Sequence, residues 1–285
     1  MSARLLEGRP VAEAIWRDVA ARGARFTEAG GRPPTLALVS GGDEAAAAYG
    51  RQIERQFARR GLRVLTSNVE GGEFLKHIGD LSADPGVDGI LLLTPLPAGV
   101  DPERAALAID PAKDVDGQHP LNLGRLAQRR RAFAPATALG GLRLLEHYGV
   151  ALRGARVAVV GRSPVVGMPL ALLLIDADAS VSVCHSRTAD LAAITRAAEV
   201  VCVAAGRAGL IGPDHVQAGA VVLDFGTNPT PDGSLVGDVQ TEAVAAVAGA
   251  ITPVPGGTGP TTVAVLAEQT LRAAEQRGAA GVHGR

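Results

Sequence analysis

Aromatic side chains make up only 3% of the 285 residues. That scarcity excludes a core built on ring stacking and leaves Ala, Val and Leu to fill it. Cysteine is nearly absent: Cys184 and Cys202 offer neither a disulfide framework nor a metal-ligand spacing. Both lie in apolar, strand-like runs and read as buried thiols, and a reducing cytoplasm is the expected location. No stretch reaches the roughly 18 to 20 uncharged apolar residues that span a bilayer, so no membrane partner is expected. The opening MSARLLEGRPVAEAIWRDVA carries Glu7 and no long apolar run, unlike a secretory signal. An excess of one charge is lacking too: 28 Lys and Arg face 29 Asp and Glu, a net charge of −1. This balance gives no electrostatic footprint for nucleic acid. The basic run RLAQRRR (Arg125 to Arg131) reads as solvated surface.

What is present suits a soluble α/β protein: 47% hydrophobic and 20% charged residues, in a chain long enough for two domains. Residues 8–28 have an amphipathic helical pattern. PTLALVSGGD (34–43), a run near residue 64 and DGILLLTPLP (88–97) read as strands separated by helices, which implies parallel pairing. The polar stretch PAKDVDGQHPLNLGRL (111–126) reads as a loop, and residues 137–149 as a helix. The pattern then restarts. ARVAVVG (155–161), SVSVCHS (180–186), EVVCVAAG (199–206) and AVVLDFG (220–226) are four short β runs of a mononucleotide-binding type of domain. A helix over 258–278 closes the chain, and the tail AAGVHGR is expected to be disordered.

Two loops and one helix carry the chemistry. GRSPVVGMP (161–169) joins the first of the four β runs to a helix, and Gly161 and Gly167 suit phosphate binding there. The second run ends in CHSRT. Ser186, Arg187 and Arg162 favour a 2′-phosphate, hence NADP, while Asp190 keeps NAD as the alternative. PVPGGTGPTT (253–262) is either a rigid turn or a platform for a flat ligand. In AAAAYGRQIERQFARRG (45–61), Tyr49, Ile53 and Phe57 share one helical face. That face is either core packing or the wall of a site, and Ile53 can neither take nor give a proton.

Together, ILLLTPLPAGVD, KDVDGQHPLNLGRL, GRSPVVGMPLA, GAVVLDFGTN, VGDV and ITPVPGGTGPTTVAVL resemble the bifunctional methylenetetrahydrofolate dehydrogenase/cyclohydrolase family. The resemblance runs from about residue 4 to 275. It implies NAD(P)-dependent oxidation of 5,10-methylenetetrahydrofolate, with the tetrahydrofolate derivative as substrate, followed by hydrolysis of the methenyl product. It implies two domains: an α/β folate domain (1–135 with 262–285, its last helix returning to it) and a Rossmann-type NADP-binding domain (136–261). The reaction would lie between them, in a homodimer. By motif, Gly161, Arg162 and Ser163 would hold the cofactor phosphates, Ser186 the ribose phosphate, and Thr227 the nicotinamide end. Asp116 would meet the pterin edge, Gly259 and Pro260 would line the folate pocket, and Tyr49 would stack along the substrate.

The departures from the pattern sharpen the expectation. The family's Tyr-x-x-x-Lys has Ile53 at the lysine, its V-Q-L-P-L-P has Leu93 at the glutamine, and its P-C-T-P is PATA (135–138). The lysine is the residue credited with the cyclohydrolase proton steps. A dehydrogenase with weak or absent cyclohydrolase is therefore expected. The alternatives are a fully bifunctional enzyme, a paralogue for a modified one-carbon folate, and a non-catalytic folate- or NADP-binding paralogue. An amino-acid or shikimate type of dehydrogenase shares the two-domain plan. His119, beside Asp116, is a further site candidate.

Overall fold

The computed structural model describes residues 3–282, with side chains through residue 278. In chain order, β1 (Arg4–Leu5) and α1 (Gly8–Glu28) precede β2 (Thr35–Ser40), α2 (Glu44–Ala58), β3 (Arg63–Asn68), α3 (Gly71–Ala83) and β4 (Gly89–Leu92). Helices α4 (Pro102–Leu107), α5 (Pro120–Ala127) and α6 (Ala136–His147) follow. Then come β5 (Arg156–Val160), α7 (Gly167–Asp176), β6 (Ser180–Cys184), α8 (Leu191–Arg196), β7 (Val200–Val203) and β8 (Val221–Asp224). A hairpin of β9 (Asn228–Pro229) and β10 (Leu235–Val236) leads to α9 (Thr241–Ala245), β11 (Ala250–Ile251) and α10 (Thr258–Val282). No described helix is long and apolar enough to cross a membrane.

The chain divides into two compact units, one of Ala14–Ala136 with Val263–Arg285, the other of Met1–Glu13 with Thr137–Thr262. In the first, three parallel strands lie in the order β3-β2-β4. Every residue of β2 is buried, as a central parallel strand covered on both faces requires. Ala37 and Val39 from β2 pack with Phe74 and Ile78 of α3 and with Ile90. Asp43 caps α2 by accepting from Ala46 N at 2.8 Å. The last helix is tied in by polar bonds: Gln269 Nε2 donates to Val115 O (2.6 Å) and Ala134 O (2.8 Å). Arg277 donates to Val87 O at 2.6 Å and pairs with the buried Asp88, which also accepts from Arg32 and from Thr35 N.

The second unit holds a six-stranded parallel sheet in the order β6-β5-β7-β8-β11-β1. Its core is aliphatic, with Val160, Val201, Val203, Val222 and Ile251 all buried, as the shortage of aromatics demands. Two strands beyond the four expected complete it, β11 and β1, each too short to leave a periodic signal. Residues 1–13, drawn with the folate domain on the sequence, belong to this unit, because Arg4 and Leu5 pair with Ala250 and Ile251.

Two further expectations need correction. The stretch 111–126 is not all loop: His119 caps α5 through Nδ1, which accepts from Leu121 N at 3.0 Å, and Pro120 opens it. The tail is helical through Val282, and residues 283–285 lie outside the described residues.

Candidate active site

In the six-stranded unit, β5 is flanked by β6 and β7, so the strand order reverses at its C-terminal end. Ligands of such sheets bind at that reversal. Gly161 follows β5 there with φ +122°, and a Cβ on it would come within 2.1 Å of Ala204 O, at the end of β7. A Cβ on Gly167, the first residue of α7, would meet Gly161 O at 2.1 Å. The loop therefore folds back on itself, and only glycine fits at its two ends. Ser163 holds it inward: its Oγ accepts from Val166 N (3.2 Å) and Gly167 N (3.4 Å). Arg162 is exposed beside it.

At the end of β6, Ser186 and Arg187 are exposed. Asp190, the acid that kept NAD open, is turned to another use: it caps α8, accepting from Ala193 N at 3.0 Å. Thr227 is exposed just beyond β8. Gly259 and Pro260 lie in the first turn of α10 in this same unit, and Thr258 Oγ1 donates to Asp224 O at the end of β8 (3.3 Å).

Two buried aspartates, not singled out by the sequence reading, organise this end of the sheet. Asp238 accepts from Ala205 N (2.6 Å), Gly206 N (2.8 Å) and Arg207 N (2.8 Å), clamping the loop after β7. Asp224 accepts from Gly226, Asp238 and Val239 amides at 2.8 to 3.0 Å. The signal was the GDV in LVGDV: an acid between a glycine and an apolar residue that the fold buries. A cavity of about 540 Å³ lies at the opposite ends of these strands, beside Tyr148, Gln217 and Gly249, away from Gly161.

In the other unit the α2 stripe resolves into two parts. Phe57 and Ile53 have no accessible surface, and Phe57 meets Trp16 edge-on at 6.0 Å. Tyr49 stays 37% accessible. The stripe is packing at its C-terminal end and open at Tyr49. Leu93, at 3% accessibility, packs on α2 beside Gly50. Desolvation, with the nearby Asp116 carboxylate, pushes the Tyr49 phenol up to about 12, so it stays protonated at neutral pH.

Asp116 is half-buried between Gln118 Nε2 (2.6 Å to Oδ2) and Ala136 N (3.0 Å to Oδ1). Burial pushes its carboxyl up to about 6 despite these bonds. Asp114 underlies the turn, accepting from Gln118 N, His119 N and Asn122 Nδ2 at 2.8 to 2.9 Å. His119 spends Nδ1 on capping α5, which leaves the ring proton on Nε2. Lys113 is buried and donates to Leu81 O and Asp84 O, a structural role. The fold thus brings Tyr49, Ile53, Leu93 and Asp116 into one unit, and Gly161, Arg162, Ser163, Ser186, Arg187, Thr227, Gly259 and Pro260 into the other.

Residues 6–116 match the tetrahydrofolate dehydrogenase/cyclohydrolase catalytic domain, and residues 135–278 match the NAD(P)-binding domain of the same family. The bifunctional protein FolD of Chloroflexus aurantiacus is 48% identical over 282 residues, covering 97% of this chain and 99% of its own. The FolD of Acidiphilium cryptum is 50% identical, covering 97% and 100%. Among solved structures, the bifunctional FolD dehydrogenase/cyclohydrolase of Campylobacter jejuni superposes with a TM-score of 0.93 at 35% identity, covering 97% of this chain and all of the other. The Trypanosoma brucei methylenetetrahydrofolate dehydrogenase-cyclohydrolase, solved with NADP and an inhibitor, gives 0.91 at 34% identity over 97% and 99%. With both domains matched and relatives near one-half identity along the whole length, the chain belongs to the tetrahydrofolate dehydrogenase/cyclohydrolase family.

Proposed function

We propose that this protein is an NADP-dependent 5,10-methylenetetrahydrofolate dehydrogenase whose cyclohydrolase step is weak or absent. Family membership supports the dehydrogenase. The observation that carries the finer part is the buried apolar pair, Ile53 one turn after Tyr49 and Leu93 just past β4, where the resemblance implies a lysine and a glutamine.

The residues fit the cofactor. The tight Gly161 loop lies at the strand-order reversal, with the exposed Arg162 beside it to meet a phosphate. Ser186 and Arg187 stand exposed where a 2′-phosphate would lie, and Asp190 is committed to α8. NADP supplies a hydride acceptor when bound. The protein's own part is orientation: Tyr49 stacking along the folate, Asp116 accepting from the pterin N–H groups, Gly259 and Pro260 lining the pocket, and Thr227 near the nicotinamide end. The methenyl cation is resonance-stabilised within the folate, so hydride loss needs no protein base.

Hydrolysis needs one. Water must lose a proton and the ring must open, and a positioned acid–base group contributes about 10²- to 10⁴-fold. Ile53 and Leu93 supply no such group, and the Tyr49 phenol holds its proton. Gln56 and Arg51 on the same helix are not bases at neutral pH.

Full bifunctionality is the second reading, favoured by the name the relatives carry. One experiment separates them. Purified protein receives NADP and methylenetetrahydrofolate while NADPH and the methenyl product are followed, and methenyltetrahydrofolate is supplied alone in parallel. Methenyl accumulation without hydrolysis above the buffer rate is expected. Fast catalysed hydrolysis establishes the bifunctional enzyme. Cofactor binding with no NADPH formed points to a modified one-carbon folate or to a non-catalytic paralogue. A homodimer is part of the same proposal, supported by the unpaired outer edge of β6 with Val183 exposed, and sedimentation velocity tests it.

A further inference from the structure

We propose that Gln118 is the positioning residue for Asp116, its carboxamide fixing the plane of the carboxylate that meets the pterin edge. This rests on the reading that Asp116 binds the folate. The geometry starts from Asp114, which is buried and accepts from Gln118 N at 2.9 Å and from Asn122 Nδ2 at 2.8 Å. Gly117 turns the chain with φ +60°, and a Cβ there would come within 2.5 Å of Ala134 C. The turn cannot slide, so the backbone of Gln118 is set from both sides. Its side chain then reaches back two residues to Asp116 Oδ2 at 2.6 Å.

A carboxylate on its own rotates freely about a broad torsion. Among the described residues only two groups donate to Asp116, the Ala136 amide on Oδ1 and Gln118 Nε2 on Oδ2. One oxygen is therefore held by the main chain, and the other by a single side chain. An ionised carboxylate only accepts, so it dictates which end of the Gln118 amide faces it. Each oxygen keeps further acceptor capacity. A carboxylate held at both oxygens can accept from a pair of adjacent N–H donors.

Gln118 also bears on protonation. Burial, and to a smaller extent the Asp114 charge, push the Asp116 carboxyl up, while the Gln118 and Ala136 bonds pull it down. Tyr49, facing from α2, is neutral at physiological pH, and His119 lies toward Asp114. Removing the Gln118 donor raises the Asp116 pKa, so the accepting form is lost at a higher pH.

The test compares Gln118→Leu and Asp116→Ala with the unaltered enzyme. Tetrahydrofolate and NADPH binding are measured separately by calorimetry, with the pH profile of kcat/KM for the folate and Tm. For Gln118→Leu the expected result is roughly tenfold weaker tetrahydrofolate binding, the size of one charge-assisted hydrogen bond. NADPH affinity stays unchanged, Tm falls only by the few degrees that one hydrogen bond costs, and the acid limb of kcat/KM moves to higher pH. Unchanged folate binding with an unmoved limb overturns the proposal if Asp116→Ala still weakens binding. Unchanged binding in Asp116→Ala instead removes the underlying reading. A joint loss of NADPH affinity and Tm shows a merely structural role and also overturns it. Should the leucine variant not fold, Gln118→Glu keeps the shape and swaps the donor for an acceptor, and equal folate affinity at neutral pH would sink the idea.

Discussion

Leu93 rests in the notch that Gly50 leaves in α2: a Cβ on residue 50 would stand 3.1 Å from Leu93 Cδ1. The strand end and the helix are thus packed apolar against apolar, one residue past Tyr49 and one turn before the packed end of the stripe. A lysine put in place of Ile53 would bring its ammonium to a position with no accessible surface.

The first prediction follows from that packing. Ile53→Lys alone is expected to lose on the order of 2–4 kcal/mol of stability and to gain little hydrolysis, because the ammonium enters a position with no accessible surface. Adding Leu93→Gln supplies a hydrogen-bonding amide. The double variant is expected to hydrolyse methenyltetrahydrofolate about 10²-fold faster than the unaltered protein. Urea unfolding and the loss of methenyl absorbance measure the two effects. A single variant that is both stable and fully hydrolytic would contradict the packing argument.

Arg187→Ala is expected to raise the KM for NADP by roughly 10- to 100-fold and to leave the KM for NAD nearly unchanged, since only the 2′-phosphate loses its partner. Arg187 is exposed, so Tm should hold. Equal losses with both cofactors would place the 2′-phosphate elsewhere.

Asp116 makes binding and stability pull against each other with pH. Its folded pKa of about 6 lies above the roughly 3.9 of an unfolded chain. Between these values the folded form holds a proton that the unfolded form has released, so the group's contribution is full below pH 4 and declines as pH rises through 6. Relative to Asp116→Asn, the unaltered protein should lose about 1–2 kcal/mol across that window, allowing for solvent screening at a half-buried site. Folate affinity should rise over the same window, as the carboxylate forms. Parallel stability curves for the two proteins would refute the assignment.

Asp238→Ala strips the acceptor from three successive amides, Ala205 to Arg207. A loss of about 1–3 kcal/mol is expected, because three amides of an exposed loop exchange a charged acceptor for water. NADPH affinity should fall with it, since the freed loop follows β7 at the cofactor end of the sheet. Unfolding in urea with and without NADPH measures both.

The two-domain α/β plan was legible because β2, β5 and β7 are long enough, and buried enough, to read as apolar runs. The glycine loop at 161–167 was legible because only glycine fits its ends. Strands β1 and β11 were not, since two residues carry no period. Helix α5 was missed because it is only eight residues long and continues a polar, proline-bearing run. Gln118, Asp114 and Asp238 escaped for another reason. Each acts on main-chain amides or on another side chain across a turn, a relation that residue spacing does not encode. The α2 stripe misled in part: identical spacing placed Phe57 in the core and Tyr49 in the open.

The pairing of Arg4 and Leu5 with Ala250 and Ile251 has a consequence for synthesis. Among the described strands, β1 leaves the ribosome well before the strand it pairs with, β11, which emerges last. The dinucleotide sheet therefore cannot close during translation of its own contiguous segment, and high contact order makes that closure slow. Until the closing residues arrive, the exposed edge of β8 and the bare N-terminal strand are both sticky surfaces, and a nascent chain stalled before residue 250 is a natural client for a chaperone.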